Sequence, residues 1–424
     1  MKTLADWLSY LEQLHPTAID MGLERAGEVA RRLGLGRPAA RVITVTGTNG
    51  KGSTCALLAG LLQAQGHRVG VYSSPHLLRY NERVRIDGQE ASDAQLCEAF
   101  AAVEQARGEI SLTYFEMGTL AAFWLFERAA LDFAVLEVGL GGRLDAVNLV
   151  DADLALVTSI AVDHADWLGD SRESVAIEKA GIFRAGRPAL CGDPQPPAVL
   201  EEQAVALGAP FLQRGRDFDL DIEGDRWHWR GRDARGEPLE LRDLPLLTLP
   251  MPNAALALQA YALLGQPWQP DVIVRTLAAA RVSGRLERRT LRYRGRNVSL
   301  LLDVAHNPHA AAYLAQRLEP LGGRRLAVFG LLADKDLDGV LTPLLDRVDD
   351  WAVADLPTAR SRSAQALGAA LRQRGITVGE FPSIAAALEA QCARAGEGDE
   401  VLVFGSFYCV ADALVWLGQA GGEA

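Results

Sequence analysis

The segment "VTGTNGKGSTC", residues 45–55, sets three glycines and a lysine directly after the apolar, β-branched run "RVIT". Gly47, Gly50 and Gly52 can take backbone angles closed to other residues, which lets amide N–H groups of the turn from Gly47 to Thr54, those of Thr48 and Asn49 included, converge on an anion at the positive end of a helix. Lys51 adds a point charge for outer phosphates, and Ser53 and Thr54 offer hydroxyls near a metal. This is nucleotide-phosphate chemistry. The spacing departs from Gly-x-x-x-x-Gly-Lys-Ser/Thr, because Val45 stands at the first glycine's place and Gly52 follows the lysine. A tight strand-to-helix turn with a solvated lysine is the plain alternative, and it leaves three interleaved glycines unexplained.

Four other apolar runs close on polar residues. "RVGVYSS" leads to Ser73, Ser74, Pro75 and His76, and "LDFAVLEVG" carries Glu137 ahead of "LGGRLD". "ADLALVTSI" leads to Asp163 and His164, and "VSLLLDVAH" to Asp303, His306 and Asn307. Ligands of open α/β sheets bind at the carboxyl ends of strands, so these residues weigh more than polar residues elsewhere. An acid such as Glu137 after "FAVL" is costly to bury unless it meets a cation; phosphate-bound Mg²⁺ is one partner and Arg143 the other. For His164 a hydrogen-bonded loop histidine explains the residue equally well.

The elements that position these groups alternate. Val42 to Thr46 reads as a buried strand and Thr54 to Gln65 as a helix stopped by Gly66. Short apolar strands separated by amphipathic stretches such as "DAQLCEAFAAVEQA" predict a mostly parallel sheet covered on both faces. Between Asp217 and Arg242, "DFDLDIEGDRWHWRG" alternates apolar with polar and turns at Gly224, which predicts a small antiparallel insertion. Trp227 and Trp229 there are a stacking platform or, the commoner use, packing. From Val298 a new series of strands and helices begins. The expected organisation is a nucleotide-phosphate-binding (P-loop) domain over residues 1–284 and a Rossmann-like α/β domain over 285–424.

At about 150 residues per domain, 424 residues suit two or three domains. A formal charge of −11 argues against nucleic acid as a partner, so an anionic substrate must meet local positive groups. "MKTLADWLSYLEQLH" reads as an amphipathic helix rather than a signal core, and no apolar stretch is long enough for a bilayer, so a cytoplasmic protein without membrane contact is expected. Cys55, Cys97, Cys191, Cys392 and Cys409 lack paired spacing and read as reduced and structural.

Six stretches in order, "VTGTNGKGST", "YSSPHLLRYNERVRIDG", "LEVGLGGRLDAVN", "DHADWLGD", "IEKAGIFR" and "DVAHNPHA", resemble the folylpolyglutamate synthases of the Mur ligase superfamily, in the bifunctional bacterial form that also acts as dihydrofolate synthase. The resemblance runs from about Leu14 to Phe407, and the unusual glycine spacing is the superfamily's own form. It implies an ATP-dependent amide ligase that makes an acyl phosphate, which L-glutamate attacks; the substrates would be dihydropteroate and reduced folates. By the same resemblance, residues 47–54 cradle the phosphates, and Ser74, Glu137 and His164 ligate Mg²⁺, with two ions expected. Lys179 of "IEKAGI" corresponds to a lysine carbamylated in the family; by itself it reads as a solvated helix lysine. Asn253 matches a base-contacting asparagine, although "LTLPMP" lacks the usual preceding histidine or glutamine. Arg285 would reach phosphates, Asp303 the ribose and His306 the γ-phosphate or acyl-phosphate region, so the two domains would share one ATP. Ser406 suits either a glutamate site or strand-end packing. Ile19, Asp20, Met21, Gly22 and Leu23, in a loop running to Arg25, resemble the dihydropteroate-binding segment, offering apolar surface and an acceptor for ring N–H groups.

A monofunctional folylpolyglutamate synthase, a cell-wall Mur ligase and a P-loop ATPase that makes no product are the alternatives. About forty residues precede the glycine loop, too short a segment for a separate nucleotide-sugar domain. A monomer is expected.

Overall fold

The computed structural model describes residues 2–420. They divide into two compact units between Ala280 and Arg281, where the sequence suggested a boundary at 284/285.

In the first unit the β-branched run forms β1 (Ala39–Thr46), followed along the chain by β2 (Val69–Tyr72), β3 (Val84–Ile86), β4 (Gln89–Glu90), β5 (Leu131–Glu137), β6 (Leu154–Val157), β7 (Ala189–Cys191) and β8 (Phe211–Gln213). They lie in the order β4-β3-β2-β5-β1-β6-β7-β8. From β2 to β8 neighbours are parallel, and only β3 and β4 add antiparallel pairs at one edge. Val42, Ile43 and Val45 are buried, as befits a central strand covered on both faces. Register sets Val45 beside Glu137 on one side and Leu156 on the other. The chain leaves β1 toward β2 on one flank and later reaches β6 on the other, so the switch point of the sheet lies at the carboxyl end of β1.

The helix after the glycine loop begins at Lys51 and ends at Gln63, earlier at both ends than the expected Thr54–Gln65. The expectation failed because glycine and serine are poor helix formers in isolation, whereas here Ser53, Thr54 and Cys55 are buried against the sheet and packing overrides propensity. Likewise the helix after the Ile19 loop starts at Glu24, so Arg25 belongs to the helix.

The insertion comprises β9 (Asp219–Glu223), β10 (Arg226–Arg232) and β11 (Pro238–Pro245), an antiparallel sheet turning at Gly224 with φ +60°. Trp227 and Trp229 are buried, and the Trp229 indole N–H donates to the Ala255 carbonyl at 3.1 Å. They pack and offer no open platform.

The second unit holds β12 (Glu287–Tyr293), β13 (Arg296–Asp303), β14 (Arg325–Phe329), β15 (Asp350–Ala354), β16 (Val378–Phe381) and β17 (Glu400–Phe404), in the order β12-β13-β17-β14-β15-β16. All pairs are parallel except β12 with β13. Leu301, Phe329, Trp351 and Phe404 centre its core. No helix among the described residues is long and apolar enough to cross a membrane.

Candidate active site

The glycine loop is clamped from the next strand end. Thr48 N–H donates to the Ser159 carbonyl at 2.8 Å, Asn49 N–H to Ser159 Oγ at 3.0 Å, and the Thr48 hydroxyl to the Ala161 carbonyl at 2.9 Å. Gly47 has φ +146°, and a Cβ there would fall 1.8 Å from Thr158 Oγ1. Gly50 has φ +90°, and its Cβ would fall 2.5 Å from Asn253 Oδ1. Both glycines are therefore demanded by angle and by space. Asn253, buried near the start of the helix Met251–Leu263, is thus placed against the loop. Lys51 curls back, Nζ donating to the Gly47 carbonyl at 2.9 Å and to that of Thr48 at 3.3 Å. A backbone cradle at the N-terminus of a helix with an ammonium at its rim suits polyphosphate.

The ends of β2 and β5 meet beside it. Ser74 N–H donates to Glu137 Oε2 at 3.2 Å, and a Cβ on Gly52 would lie 3.4 Å from the same oxygen. Glu137 is buried. Arg143, its alternative partner, instead pairs with Glu178 at 2.8 Å. A buried carboxylate with an adjacent serine at the phosphate-binding turn is a hard-oxygen donor set that fits Mg²⁺ or Mn²⁺. His164 is exposed at the head of the short helix Ala165–Leu168, with φ 52° and its N–H on Asp163 Oδ1 at 2.9 Å. Among the described residues no three His, Cys, Asp or Glu side chains form a metal-holding group, so any such site draws on other donors as well.

Lys179 is buried, not solvated as its isolated reading suggested. Burial, and then the positive charge of Lys51, pull its amine down to about 7, with Asp163 acting the other way. A helix register argument misses this because the covering residues come from other segments.

The Ile19–Leu23 loop carries Asp20, which accepts from Arg25 Nη1 at 2.6 Å, while Arg25 Nη2 donates to the buried Glu116 at 3.1 Å. Glu116 in turn accepts the Thr113 N–H at 2.7 Å. Met21 approaches Gly141, in the loop following Glu137: a Cβ there would meet its methyl at 3.5 Å. Ile19 is exposed, whereas Met21, Gly22 and Leu23 are half-buried.

Asp145 and Arg83 were not singled out in the sequence, whereas His76 was. Asp145 is buried in "GGRLD"; burial pushes its carboxyl up to about 6 against N–H groups donated by Leu140 and Val147, both at 2.9 Å. An acid inside a glycine-rich loop after a strand end was the available signal. Arg83 Nε donates to His76 Nδ1 at 2.8 Å, and burial together with that cation lowers His76 to about 4.

In the second unit Asp303 is buried at the end of β13 and accepts from Leu286 N–H and Ala305 N–H, both at 2.9 Å. Burial raises its carboxyl, and the nearby Arg285 opposes this. Arg285 stacks over Phe407 at 5.4 Å, and the His306 ring lies 6.0 Å from the same phenyl. Ser406 is buried and its hydroxyl accepts the Cys409 N–H at 3.0 Å, a helix cap.

The Mur ligase middle domain matches residues 45–190, and the Mur ligase, glutamate ligase domain matches residues 284–407. The dihydrofolate synthase/folylpolyglutamate synthase of Escherichia coli K12 is 49% identical over 413 residues, covering 97% of this chain and 94% of that protein. The solved structure of E. coli FolC in complex with DHPP and ADP has 48% identity and a TM-score of 0.92, covering 99% of this chain and 98% of that one. A bifunctional folylpolyglutamate synthase/dihydrofolate synthase with Mn, AMPPNP and L-glutamate bound has 46% identity and a TM-score of 0.90, with 99% and 98% covered. A glycine cradle, a buried strand-end carboxylate and two α/β units, matched end to end by these relatives, show that the chain belongs to the dihydrofolate synthase/folylpolyglutamate synthase family of Mur ligases and is an ATP-dependent ligase.

Proposed function

We propose that the chain joins L-glutamate both to 7,8-dihydropteroate and to the glutamate tail of reduced folates. The observation that carries the reading is the meeting of the glycine cradle, Lys51 and the Ser74–Glu137 pair at neighbouring strand ends. The complexes of relatives with DHPP and ADP, and with AMPPNP, Mn and L-glutamate, support the same substrates here.

The γ-phosphoryl group passes from ATP to a carboxylate oxygen, giving ADP and an acyl phosphate. The glutamate amine then attacks the acyl carbon; a C–N bond forms, the C–O bond to phosphate breaks, and the nitrogen loses a proton. Residues 47–54 hold the phosphates, and Lys51 neutralises charge as it moves to the leaving oxygens. Asn253 contacts the base, Arg285 the phosphates and Asp303 the ribose, with His306 toward the γ-phosphate. Ser74, Glu137, His164 and a carbamylated Lys179 would hold divalent metal, two ions in all, which would supply charge neutralisation and alignment of the phosphoryl group. The low-lying amine of Lys179 favours carbamylation, since only a neutral amine adds CO₂. Residues 19–23 cover the pterin, and Ser406 serves the glutamate. The enzyme works as a cytoplasmic monomer, a setting consistent with five unpaired cysteines among the described residues.

The test is phosphate release with ATP, L-glutamate and either dihydropteroate or a reduced folate. Turnover is expected with each acid and none when acid or glutamate is omitted. Turnover on the folate alone would remove the dihydrofolate synthase half.

A further inference from the structure

The Arg83 guanidinium meets one hydrogen-bond acceptor and two aromatic rings but no counter-ion among the described residues. The carbonyl of Arg83 accepts the Ser73 N–H at 3.0 Å, which sets the residue beside the Ser74 strand end. Nε donates to His76 Nδ1 at 2.8 Å, and because a guanidinium only donates, that ring nitrogen carries the lone pair. The guanidinium carbon lies 5.3 Å from the Tyr80 ring and 5.4 Å from the Tyr114 ring, and the two rings stand edge-to-face at 5.8 Å. One hydrogen bond and two tyrosine rings therefore neighbour the group.

Nearby acids are engaged elsewhere. Glu82 accepts the N–H groups of Leu77, Leu78 and Arg79, each at 2.8 Å. Among the described residues no carboxylate pairs with Arg83, and no protein acceptor takes its Nη1 or Nη2. The residue is half-buried. Other arginines of this chain, such as Arg25, Arg107 and Arg172, are matched by acids. Burying part of a cation without a partner is costly, and a planar fork matches a carboxylate bidentately.

We propose that Arg83 binds a glutamyl carboxylate that is not the one being activated. The inference rests on the ligase reading above. Two reactants offer that group: the terminal glutamate of a folate tail, which keeps one free carboxylate while the other is phosphorylated, and the incoming L-glutamate. Dihydropteroate offers none, because its single carboxylate is the one activated.

Wild-type phosphate release with both acids is measured first, so that failure of the ligase reading shows there. Arg83→Ala is then assayed with each substrate varied and with thermal melting as the folding control. A KM raised about tenfold or more for reduced folate, with that for dihydropteroate unchanged, assigns the tail carboxylate; the same rise for L-glutamate with either acid assigns the incoming one. Both support the proposal. A folded variant with all three KM values within about twofold of wild type overturns it, as does a loss confined to kcat. If Arg83→Ala does not fold, Arg83→Lys keeps charge and stem but lacks the fork. An unchanged KM pattern in that variant overturns the proposal equally, and a raised glutamyl KM supports it.

Discussion

Ser74 donates its backbone N–H to Glu137 Oε2 at 3.2 Å, joining two residues sixty-three apart in the chain. The contact follows from the parallel pairing of β2 with β5, which sets Tyr72 beside Leu136 and so brings the next residues of both strands to one edge. The buried carboxylate lies beside the first turn of the Lys51 helix, which fits the proposed role toward a phosphate-bound cation.

Glu137→Gln keeps the shape and an acceptor for Ser74, so stability should change by no more than about 1 kcal/mol. Ligation should fall about 100-fold or more, and excess Mg²⁺ should restore part of it. Paired melting curves and Mg²⁺ titrations of phosphate release check this; equal losses of stability and activity would count against a metal role.

Lys51→Ala removes an ammonium that rests on its own loop carbonyls. The fold should survive, because the loop is clamped by Ser159 and Ala161. Turnover should drop by about 100-fold or more, the interaction being strongest in the transition state. Near wild-type kcat in a folded variant would sink the phosphate assignment.

Lys179 ties stability to pH. In protein kept free of bicarbonate, where Lys179 carries no carbamate, the native amine releases its proton near pH 7, while the unfolded chain holds it to the ordinary 10.5. Between these values the unfolded state binds more protons, so stability should rise as pH climbs from about 7 toward 10.5, and the burial penalty is fully felt below 7. Lys179→Met should flatten that slope in denaturant titrations across the window. Lys179→Ala should be inactive and partly rescued by small carboxylates. ¹³C-bicarbonate should give wild-type protein, but not this variant, a carbamate signal by NMR.

Arg25 couples the Ile19–Leu23 loop to the protein through Asp20 and Glu116. Arg25→Met leaves Glu116 buried without its cation, a cost of about 3 kcal/mol. Above that general loss, kcat/KM for dihydropteroate should fall more than KM for ATP rises. A variant whose dihydropteroate kinetics match wild type would detach this loop from pterin binding.

Local patterns written in the sequence carried the chemistry a long way. Glycines between a β-branched run and a helix are a local device, legible because Gly47 and Gly50 answer to backbone angle. The insertion with its turn at Gly224, and the strand ends bearing Ser74, Glu137 and Asp303, follow from period and composition in the same way. Tertiary structure decided what distant segments do to one another. Lys179 has the look of a surface residue on a helix, and only the segments folded over it bury it and lower its amine. The choice of Glu178 over Glu137 as partner for Arg143 is a matter of reach in space, which spacing along the chain does not encode. Arg83 shows the same limit, since a guanidinium with no counter-ion among the described residues is recognisable only once His76, Tyr80 and Tyr114 neighbour it. Burial and charge pairing are properties of a three-dimensional neighbourhood, so a one-dimensional pattern names the groups and the fold sets their protonation and partners.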